Sequence, residues 1–419
     1  MSAAQYQTPE PFTVDVPERV LADLDERLRK TRWPAAVDGA DPARWPYGVD
    51  LDTLKELVDY WRHGYDWRKA EARLNRFPQY LVDIDGQRLH FIREPGSEGV
   101  DGPRPLPLLL THGWPGSTVE FMEIIDQLAH PERHGANPVD AFDVIVPSLP
   151  GYGFSGPPMR RIGDGLQRGP IGPRAIAGLW HRLMREKLNY TRPYAAQGGD
   201  WGAAVTTWLG FDHGAATEND SGMVGIHLNM MVLRPGIDEK TTTLTAEERE
   251  WLAQARAVRN RETAYQRIQA TKPQSLNVGL TDSPVGLAAW ILEKFHGWSD
   301  CKGKVLQHFD LDTLITNIMI YWVSGSIGTA NWLYRGVVEE QSIALPQGRR
   351  VETPTGYARF PADLSPPPPR AWIERAFNLR RFTEMPRGGH FAALEAPDLL
   401  VQDIRELFRP LRFGVANDS

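Results

Sequence analysis

The sequence predicts an α/β fold with a mostly parallel sheet, an inserted helical lid and an N-terminal helical segment. Short apolar runs at residues 106–110 and 144–146 are typical of strands buried on both faces, and stretches of helical spacing alternate with such runs. This alternation favours a parallel sheet with helices on both of its faces. Helical stretches across residues 225–345 interrupt the alternation, which resumes near residue 356. Such an insertion into an α/β core is most simply a lid.

Composition and charge set the broad class of protein. The chain has 419 residues, of which 41% are apolar, so it can bury a sizeable core. Asp and Glu outnumber Lys and Arg by 53 to 47, and this net charge of -6 gives no electrostatic reason to expect nucleic acid as a partner. The single cysteine, Cys301, excludes an internal disulfide. No apolar run approaches the roughly 20 residues of a membrane span, and no signal peptide is recognisable. We therefore expect a cytoplasmic globular protein.

Residues 1–80 are predicted to form the N-terminal segment. Leu21, Leu24 and Leu28 share one face of a helix that ends near residue 33. A second helix is predicted over residues 51–61.

The predicted core has two parts, with the lid between them. The first part, residues 81–224, opens with two strands around an Asp-Gly turn. It continues with strands at 106–110, 144–146 and 194–197 and helices at 121–128, 176–188 and 203–209. The lid, residues 225–345, has helical stretches at 246–268, 287–295 and 314–334. The second part, residues 346–419, has strands at 356–360 and 380–385, a helix opened by the prolines at 366–369, and a last helix at 399–408.

The sharpest local feature is the segment GGDWG at residues 198–202. It follows a predicted strand and opens a predicted helix, which is the setting of a nucleophile elbow. Its glycines permit a tight turn, and Asp200 stands where the usual version has serine. The alternative is that Asp200 caps the helix N-terminus, which is a common role for aspartate. The segment alone does not separate the two interpretations.

A carboxylate nucleophile selects its own reactions. Attack on an ester or amide would give a mixed anhydride, whereas displacement at a saturated carbon gives an alkyl ester that water can cleave. If Asp200 is a nucleophile, the sequence favours an epoxide or alkyl halide over the substrates of lipases and peptidases.

Hydrolysis of an alkyl ester needs a base. His390, in a GGHF segment, follows the last predicted strand, as the base does in the chain order nucleophile, acid, histidine. Asp363 follows the preceding strand and is the candidate for the acid that orients His390. Glu374 is the competitor, but it lies within a predicted helix, where a solvated face is the simpler interpretation. His130 and His134 lie in a Pro/Gly-rich surface loop and lack a third metal ligand.

The loop HGWPGS at residues 112–117 follows a predicted buried strand. In this setting it would supply one backbone N–H of an oxyanion hole, and the residue after the nucleophile would supply the other. Pro115 has no N–H, so the donors are predicted to be Trp114 and Trp201. The alternative is a Gly/Pro turn with a structural histidine. The Gly-rich segment SLPGYGFS lacks the ending of a phosphate loop, so nucleotide binding is not expected.

With DSPVGLAAWILEKF, RFPADL and RGGHFAALEAP, these segments resemble the microsomal-type epoxide hydrolases, a family of the α/β-hydrolase superfamily that includes the insect juvenile-hormone enzymes. The resemblance spans nearly the whole chain. It implies an α/β-hydrolase core with Asp200 as nucleophile, His390 as the base that activates water and Asp363 as the acid, where many members have glutamate. It also implies that Tyr265 and Tyr334 of the lid hold the epoxide oxygen.

The reaction implied by the resemblance converts an epoxide to a vicinal diol through an ester on Asp200, with no metal or organic cofactor. The expected partner is a small-molecule epoxide, bulky and apolar or aromatic. No nucleic acid and no membrane span are expected, and a homodimer stays open. Tyr321 is expected to pack within the lid. The membrane anchor of the animal members is missing from the printed sequence, so we expect a soluble, bacterial-type form.

Two other functions stay open at this point. A haloalkane or haloacid dehalogenase shares the Asp-His-acid chemistry but would favour halide-binding tryptophan or asparagine side chains, a role for which Trp114 and Trp201 are candidates. A non-catalytic small-ligand receptor on the same fold predicts degraded catalytic positions, whereas the candidate nucleophile, base, acid and tyrosines are all present.

Overall fold

A nine-stranded sheet forms the centre of the computed structural model, which describes residues 8–98, 104–218, 220–238 and 242–414. Across this sheet the strand order is β1-β2-β3-β5-β4-β8-β9-β10-β11, and β6 and β7 form a separate hairpin. The strands are β1 (Glu10–Phe12), β2 (Gln79–Ile84), β3 (Gln87–Glu94), β4 (Leu106–Thr111), β5 (Phe142–Pro147), β6 (Met159–Ile162), β7 (Gly165–Arg168), β8 (Tyr194–Gly198), β9 (Met223–Leu228), β10 (Val351–Arg359) and β11 (Phe377–Glu384).

The strands from β5 through β4, β8, β9 and β10 to β11 run parallel. β4 is buried at all six of its positions, as expected for a strand that is covered on both faces. β1, β2 and β3 extend the sheet by antiparallel pairing. The predicted α/β fold with a mostly parallel sheet is confirmed.

The helices divide among three parts of the chain. The N-terminal segment has Glu18–Arg29, Leu51–His63 and Trp67–Leu74. The core has the α-helices Ile125–Ala129, Pro173–Arg182, Asp200–His213, Arg370–Ala376, Ala392–Glu395 and Pro397–Gly414, the 3₁₀ turns Thr118–Phe121, Pro131–His134 and Pro138–Asp140, and the π turn Leu183–Lys187. Between β9 and β10 lie Ala246–Glu262, Ala264–Thr271, Pro273–Asp282, Pro284–Trp298, Val305–His308, Leu311–Ser324, Ile327–Ala330 and Trp332–Glu340. Within the described ranges, no helix has both the length and the apolarity that a bilayer crossing requires.

Two of the segment boundaries drawn from the sequence cut through strands of the sheet. β9 spans the boundary at residue 224, and β2 spans the boundary at residue 80. Gly225 interrupts the apolar run of β9, because a Cβ at this position would lie 2.8 Å from the Pro354 carbonyl oxygen. A strand with a glycine near its centre gives a weak sequence signal, and this strand was missed.

Three predicted helical stretches are shorter pieces in the structure. Residues 246–268 contain the whole of one helix, Ala246–Glu262, and most of a second, separated at Thr263. Residues 314–334 fall on three helices, the first of which ends at Gly325 in the left-handed region, with φ 64°. Residues 121–128 contain the end of a 3₁₀ turn and part of a five-residue helix. In residues 121–128 and 314–334 the apolar spacing continues across the breaks, because residues on both sides of each break belong to one hydrophobic core.

The N-terminal segment braces the lid against the core. The Tyr60 hydroxyl donates to the Asp312 carboxylate over 2.9 Å, and the Arg27 guanidinium lies 2.9 Å from the Asp282 carboxylate. At its start the same segment forms β1, which pairs with β2 at the edge of the sheet. The N-terminal segment therefore links the lid helices to the sheet.

Candidate active site

Asp200 lies at the sharp turn between β8 and the helix Asp200–His213. Its φ is 46°, a left-handed conformation that is strained for any residue with a Cβ. A Cβ at Gly202 would lie 1.8 Å from the Thr111 carbonyl oxygen, so this glycine lets the helix approach β4. The predicted strand–turn–helix elbow is confirmed.

The Asp200 side chain does not cap its own helix. Gly199 occupies the N-cap position, and the Asp200 Oδ1 accepts a hydrogen bond of 2.8 Å from the backbone N–H of Trp114. The helix-cap interpretation is therefore wrong, and the carboxylate points across to the HGWPGS loop.

His390 and Asp363 complete a line of three side chains with Asp200. His390 Nδ1 lies 2.7 Å from Asp363 Oδ1, and His390 Nε2 lies 3.4 Å from Asp200 Oδ2. Asp363 follows β10 and His390 follows β11, and these two loops pair where Ala362 meets Gly389. Because the parallel strands end at one edge of the sheet, these three groups meet there although they are far apart in the chain.

Glu374, the competing acid, lies elsewhere. It belongs to the exposed face of the helix Arg370–Ala376, where its carboxylate pairs with Arg370 over 2.7 Å. The geometry thus brings Asp363 to His390 and leaves Glu374 on the surface.

Two carboxylates determine the charge of His390. Burial by itself lowers the pKa of the imidazole, but the Asp363 and Asp200 carboxylates together raise this pKa well above its ordinary value. An imidazolium held between two carboxylates is therefore the favoured form of the site as it stands. Loss of the charge on either carboxylate would lower the pKa of His390.

The HGWPGS loop is held in place by the lid. Asn317 Nδ2 donates to the Pro115 carbonyl over 2.9 Å, and Ser117 Oγ donates to Asn317 Oδ1 over 2.7 Å. The Tyr321 hydroxyl donates to the Gly116 carbonyl over 2.5 Å, so this buried residue contacts the core loop and does not pack only within the lid. The lid therefore positions the backbone that carries the Trp114 N–H.

Of the two predicted oxyanion donors, the structure brings Trp114 to the carboxylate. Its backbone N–H already binds Asp200 Oδ1. Trp201 is the second residue of the helix Asp200–His213, but no hydrogen bond from its N–H to Asp200 occurs within the described part of the chain. The role of Trp201 stays a prediction.

The two lid tyrosines lie in an aromatic cluster with Trp114 and Trp201, close enough to Asp200 for its charge to act on both hydroxyls. Tyr265 stacks on Trp114 with ring centroids 5.2 Å apart, and Tyr334 meets Trp201 edge-on at 4.9 Å. The two tyrosine rings lie 5.8 Å from each other. Burial raises the pKa of both hydroxyls, and the Asp200 carboxylate adds to the shift. Both hydroxyls therefore stay protonated and able to donate.

The two hydroxyls differ in their partners. The Tyr265 oxygen accepts a hydrogen bond of 2.9 Å from Gln266 Nε2. The Tyr334 hydroxyl is buried and forms no hydrogen bond of full geometry among the described residues, although the Tyr265 hydroxyl and the Trp201 indole are its polar neighbours. A buried hydroxyl without such a bond is costly, so a ligand atom that accepts its proton would be favoured at this point.

Comparison with known proteins identifies the chain's family. Residues 9–121 match the family model for the epoxide hydrolase N terminus. The chain is 36% identical to epoxide hydrolase 1 of Oryctolagus cuniculus, in an alignment covering 94% of this chain and 87% of that one. It is 35% identical to juvenile hormone epoxide hydrolase 2 of Ctenocephalides felis, covering 94% of this chain and 84% of that one. The chain belongs to the epoxide hydrolase family.

The fold agrees with this family. Residues 107–230 match the family model for the alpha/beta hydrolase fold. The structure of Aspergillus niger epoxide hydrolase superposes with a TM-score of 0.79 at 30% identity, covering 98% of this chain and 100% of that one. The fold and family implied by the sequence motifs are confirmed, and an epoxide hydrolase takes a small-molecule epoxide as substrate.

Sequence reasoning missed several residues that contact the site. The Trp298 ring meets the His390 ring edge-on, with centroids 4.9 Å apart, and the Trp298 backbone carbonyl accepts a hydrogen bond of 2.9 Å from the backbone N–H of His390. The buried ammonium of Lys294 lies 4.3 Å from the centre of the Tyr265 ring. Both residues lie in the stretch DSPVGLAAWILEKF and its continuation, which contributed to the family resemblance but has no local pattern of a site.

One group of side chains outside the site has the composition of a metal centre. Among the described residues, His181, His213 and Asp220 place potential ligand atoms within 4.8 Å of one another. The two imidazole rings stack at 4.0 Å and 7°, so their in-plane lone pairs run side by side instead of converging on one ion. The Arg185 guanidinium also lies 2.7 Å from Asp220, where it competes with a cation. We assign no metal to this group.

Proposed function

We propose that the protein hydrolyses an epoxide through a covalent ester on Asp200. The observation that carries this proposal is the line Asp200–His390–Asp363 beneath two buried tyrosines. Membership of the family indicates the reaction, and for each step of that reaction the site contains a side chain or backbone group that can carry it out.

In the first half-reaction, the Asp200 carboxylate attacks a ring carbon of the epoxide and the carbon–oxygen bond opens. Tyr265 and Tyr334 donate hydrogen bonds to the oxygen as its negative charge develops. The Trp114 N–H holds the other carboxylate oxygen and fixes the direction of attack. The opened oxygen takes the proton of the His390 imidazolium by way of the tyrosine hydroxyls, so the product is a hydroxyalkyl ester of Asp200 beside a neutral imidazole.

In the second half-reaction, water attacks the carbonyl carbon of that ester and passes a proton to His390. Formation of the ester has removed the charge of Asp200, which is one of the two causes that raise the pKa of His390. The imidazole is then the neutral base that the step requires. Asp363 orients the ring and stabilises the imidazolium, and the N–H groups of Trp114 and Trp201 bind the oxyanion. Collapse releases the diol, whose new oxygen takes the proton from His390. The proton that remains on Asp200 then passes to His390 and restores the carboxylate.

The aromatic cluster favours bulky apolar or aryl epoxides. Rings of Trp114, Trp201, Tyr265, Trp298 and Tyr334 pack against one another beside Asp200. An aryl epoxide should therefore give a higher kcat/KM than a short alkyl epoxide. A homodimer stays a prediction, which sedimentation would test directly.

The experiment that tests the covalent step is a single turnover in oxygen-18 water, followed by mass analysis of the peptide that contains Asp200. We expect one heavy oxygen in the Asp200 carboxylate and none in the first diol formed. The same incubation without epoxide is the control for exchange. Label in the diol alone would mean direct hydration and would remove Asp200 as nucleophile.

One observation favours a second candidate activity, the release of halide from an alkyl halide. The indole N–H groups of Trp114 and Trp201 are buried and have no hydrogen-bond partner among the described residues. A departing halide needs donors of this type. Halide release from a bromoalkane, measured beside diol formation, separates the two. Halide release without epoxide turnover would favour the dehalogenase.

A further inference from the structure

A cavity of about 20 Å³ lies against the Asp200 carboxylate. Its ionisable lining side chains include Asp200, His390 and Glu120, and Phe121 and Ala393 contribute apolar walls. A cavity needs roughly 10–15 Å³ to hold one water molecule and two or more polar partners to retain it. This cavity therefore has the size and the polar lining for a single water beside the nucleophile and the base.

Glu120 reaches this cavity because of the turn that precedes it. The 3₁₀ turn Thr118–Phe121 is capped by Ser117, whose carbonyl accepts the Glu120 N–H over 3.1 Å. The Glu120 carboxyl packs directly on the backbone at Gly116, where a Cβ would lie 1.4 Å from Oε1. The loop that carries the Trp114 N–H thus also fixes the position of Glu120.

The Glu120 carboxyl has no hydrogen bond or ion pair with any other side chain or backbone group in the described part of the chain. Burial raises the pKa of this carboxyl to about 8, while His390 opposes the shift and Asp200 adds to it. At neutral pH it is therefore largely a neutral acid with a free carbonyl oxygen. A polar group without a protein partner that faces a water-sized cavity indicates a bound water.

We propose that Glu120 is a catalytic residue of the second half-reaction that binds the attacking water. This inference rests on the covalent mechanism proposed above. One O–H of the water donates to His390 Nε2 and the other donates to the Glu120 carbonyl oxygen. With both hydrogens held, an oxygen lone pair faces the ester carbon of Asp200.

The step balances without another reactant. The water oxygen bonds to the Asp200 carbonyl carbon as its proton passes to His390. The ester carbon–oxygen bond then breaks, and the departing alkoxide takes the proton from His390 to give the diol. Asp200 is left as the carboxylic acid, and its proton passes to His390, which restores the carboxylate and the imidazolium. Glu120 keeps its own proton throughout.

The test uses Glu120→Met and Glu120→Gln in the full-length protein, with Glu123→Gln as the matched control. Glu123 lies on the next part of the same segment, is half-exposed and pairs with Arg73 away from Asp200. For Glu120→Met we expect the ester to hydrolyse about tenfold more slowly or worse, with the alkylation rate unchanged. Glu120→Gln keeps a carbonyl oxygen and should recover part of that loss, and Glu123→Gln should behave as the wild type.

Steady-state kinetics give a signature that a purely structural role would not. If only ester hydrolysis slows, kcat and KM fall in parallel and kcat/KM stays constant. Single-turnover tryptophan fluorescence and mass analysis of the ester check the same point. The inference is overturned if kcat/KM falls with kcat while no ester builds up, or if Glu120→Met turns over at the wild-type rate.

Failure of the covalent mechanism itself looks different. In that case no ester forms in any variant and no heavy oxygen enters Asp200 in the wild type. Should Glu120→Met fail to fold, as judged by thermal unfolding, Glu120→Gln carries the test alone. Its hydrolysis step must then be slower than that of Glu123→Gln.

Discussion

The two sides of the site hold their polar groups in different ways. The floor, which consists of Asp200, His390, Asp363 and the Trp114 N–H, is a continuous set of hydrogen bonds and ion pairs between loops at one edge of the sheet. The roof, the lid tyrosines Tyr265 and Tyr334, is held by ring packing, and one of its hydroxyls forms no hydrogen bond of full geometry in the described residues.

The charged groups of the floor are therefore preorganised, whereas the hydroxyls of the roof are available to bind a ligand. The floor groups satisfy one another before substrate arrives, so a change to one of them alters the charge of the next. The roof hydroxyls can still donate a hydrogen bond to an acceptor atom of a ligand. Changes to the floor should therefore have the larger kinetic effects, and changes to the roof should separate activity from stability.

The largest effect is expected from His390→Gln in the floor. Loss of the base should slow ester hydrolysis by about 10²–10⁴-fold, and the ester on Asp200 should accumulate. Intact-protein mass spectrometry after incubation with an epoxide measures the adduct. His134→Gln, at a surface histidine that pairs with Asp126, is the control. A variant that consumes no epoxide and forms no adduct would show that His390 is needed before the ester.

Asp363→Asn should have the next largest effect, about 10²-fold on ester hydrolysis, because the imidazolium loses its partner and the ring its orientation. The pH dependence should also move. Asp363 raises the pKa of His390, so without that charge the neutral base persists to lower pH and the acid limb of the hydrolysis rate shifts downward. Asp363→Glu, the residue of many relatives by resemblance, should lose less. An unmoved acid limb would mean that another group sets the charge of His390.

Tyr334→Phe in the roof should slow alkylation by about tenfold to a hundredfold, because one donor to the epoxide oxygen is lost. Its stability should hold or rise, since the lost hydroxyl forms no hydrogen bond of full geometry among the described residues. Tyr65→Phe is the matched control, because its hydroxyl pairs with Thr316 over 3.0 Å. That variant should keep its alkylation rate and lose about 1 kcal/mol of unfolding free energy. If Tyr334→Phe and Tyr65→Phe lost equal amounts of unfolding free energy, the Tyr334 hydroxyl would be as well bonded as that of Tyr65, and the prediction would be wrong.

Local sequence and chain order indicated the positions of the floor, whereas they did not indicate the roof. Asp200 and His390 lie in Gly-rich turns after strands; the turn at Asp200 alone left a nucleophile and a helix cap open, and the chain order of Asp200, Asp363 and His390 favoured the nucleophile. Tyr265 and Tyr334 lie on helices, and their local sequence looks the same as that of a tyrosine that only packs, such as Tyr321. Only the family resemblance distinguished them from Tyr321. Glu120 was missed because no local pattern indicates that its neighbours in space are Asp200 and His390.

The smallest effect tests the backbone strain at the floor. At φ 46° an alanine at position 200 is strained and a glycine is not. The free energy of unfolding of Asp200→Gly should therefore be about 1 kcal/mol higher than that of Asp200→Ala. Both variants lose the carboxylate, so the change in the charge of His390 cancels between them. Urea unfolding at one pH measures the difference.

Gly178 supplies the control of opposite sign. It lies within the helix Pro173–Arg182, and a Cβ there would meet nothing within 4 Å. Gly178→Ala should therefore raise the unfolding free energy by about 1 kcal/mol, because alanine is favoured over glycine in a helix. If alanine were the more stable residue at position 200 as well, the nucleophile would carry no backbone strain. The position of its carboxylate would then depend on the Trp114 N–H and His390 alone.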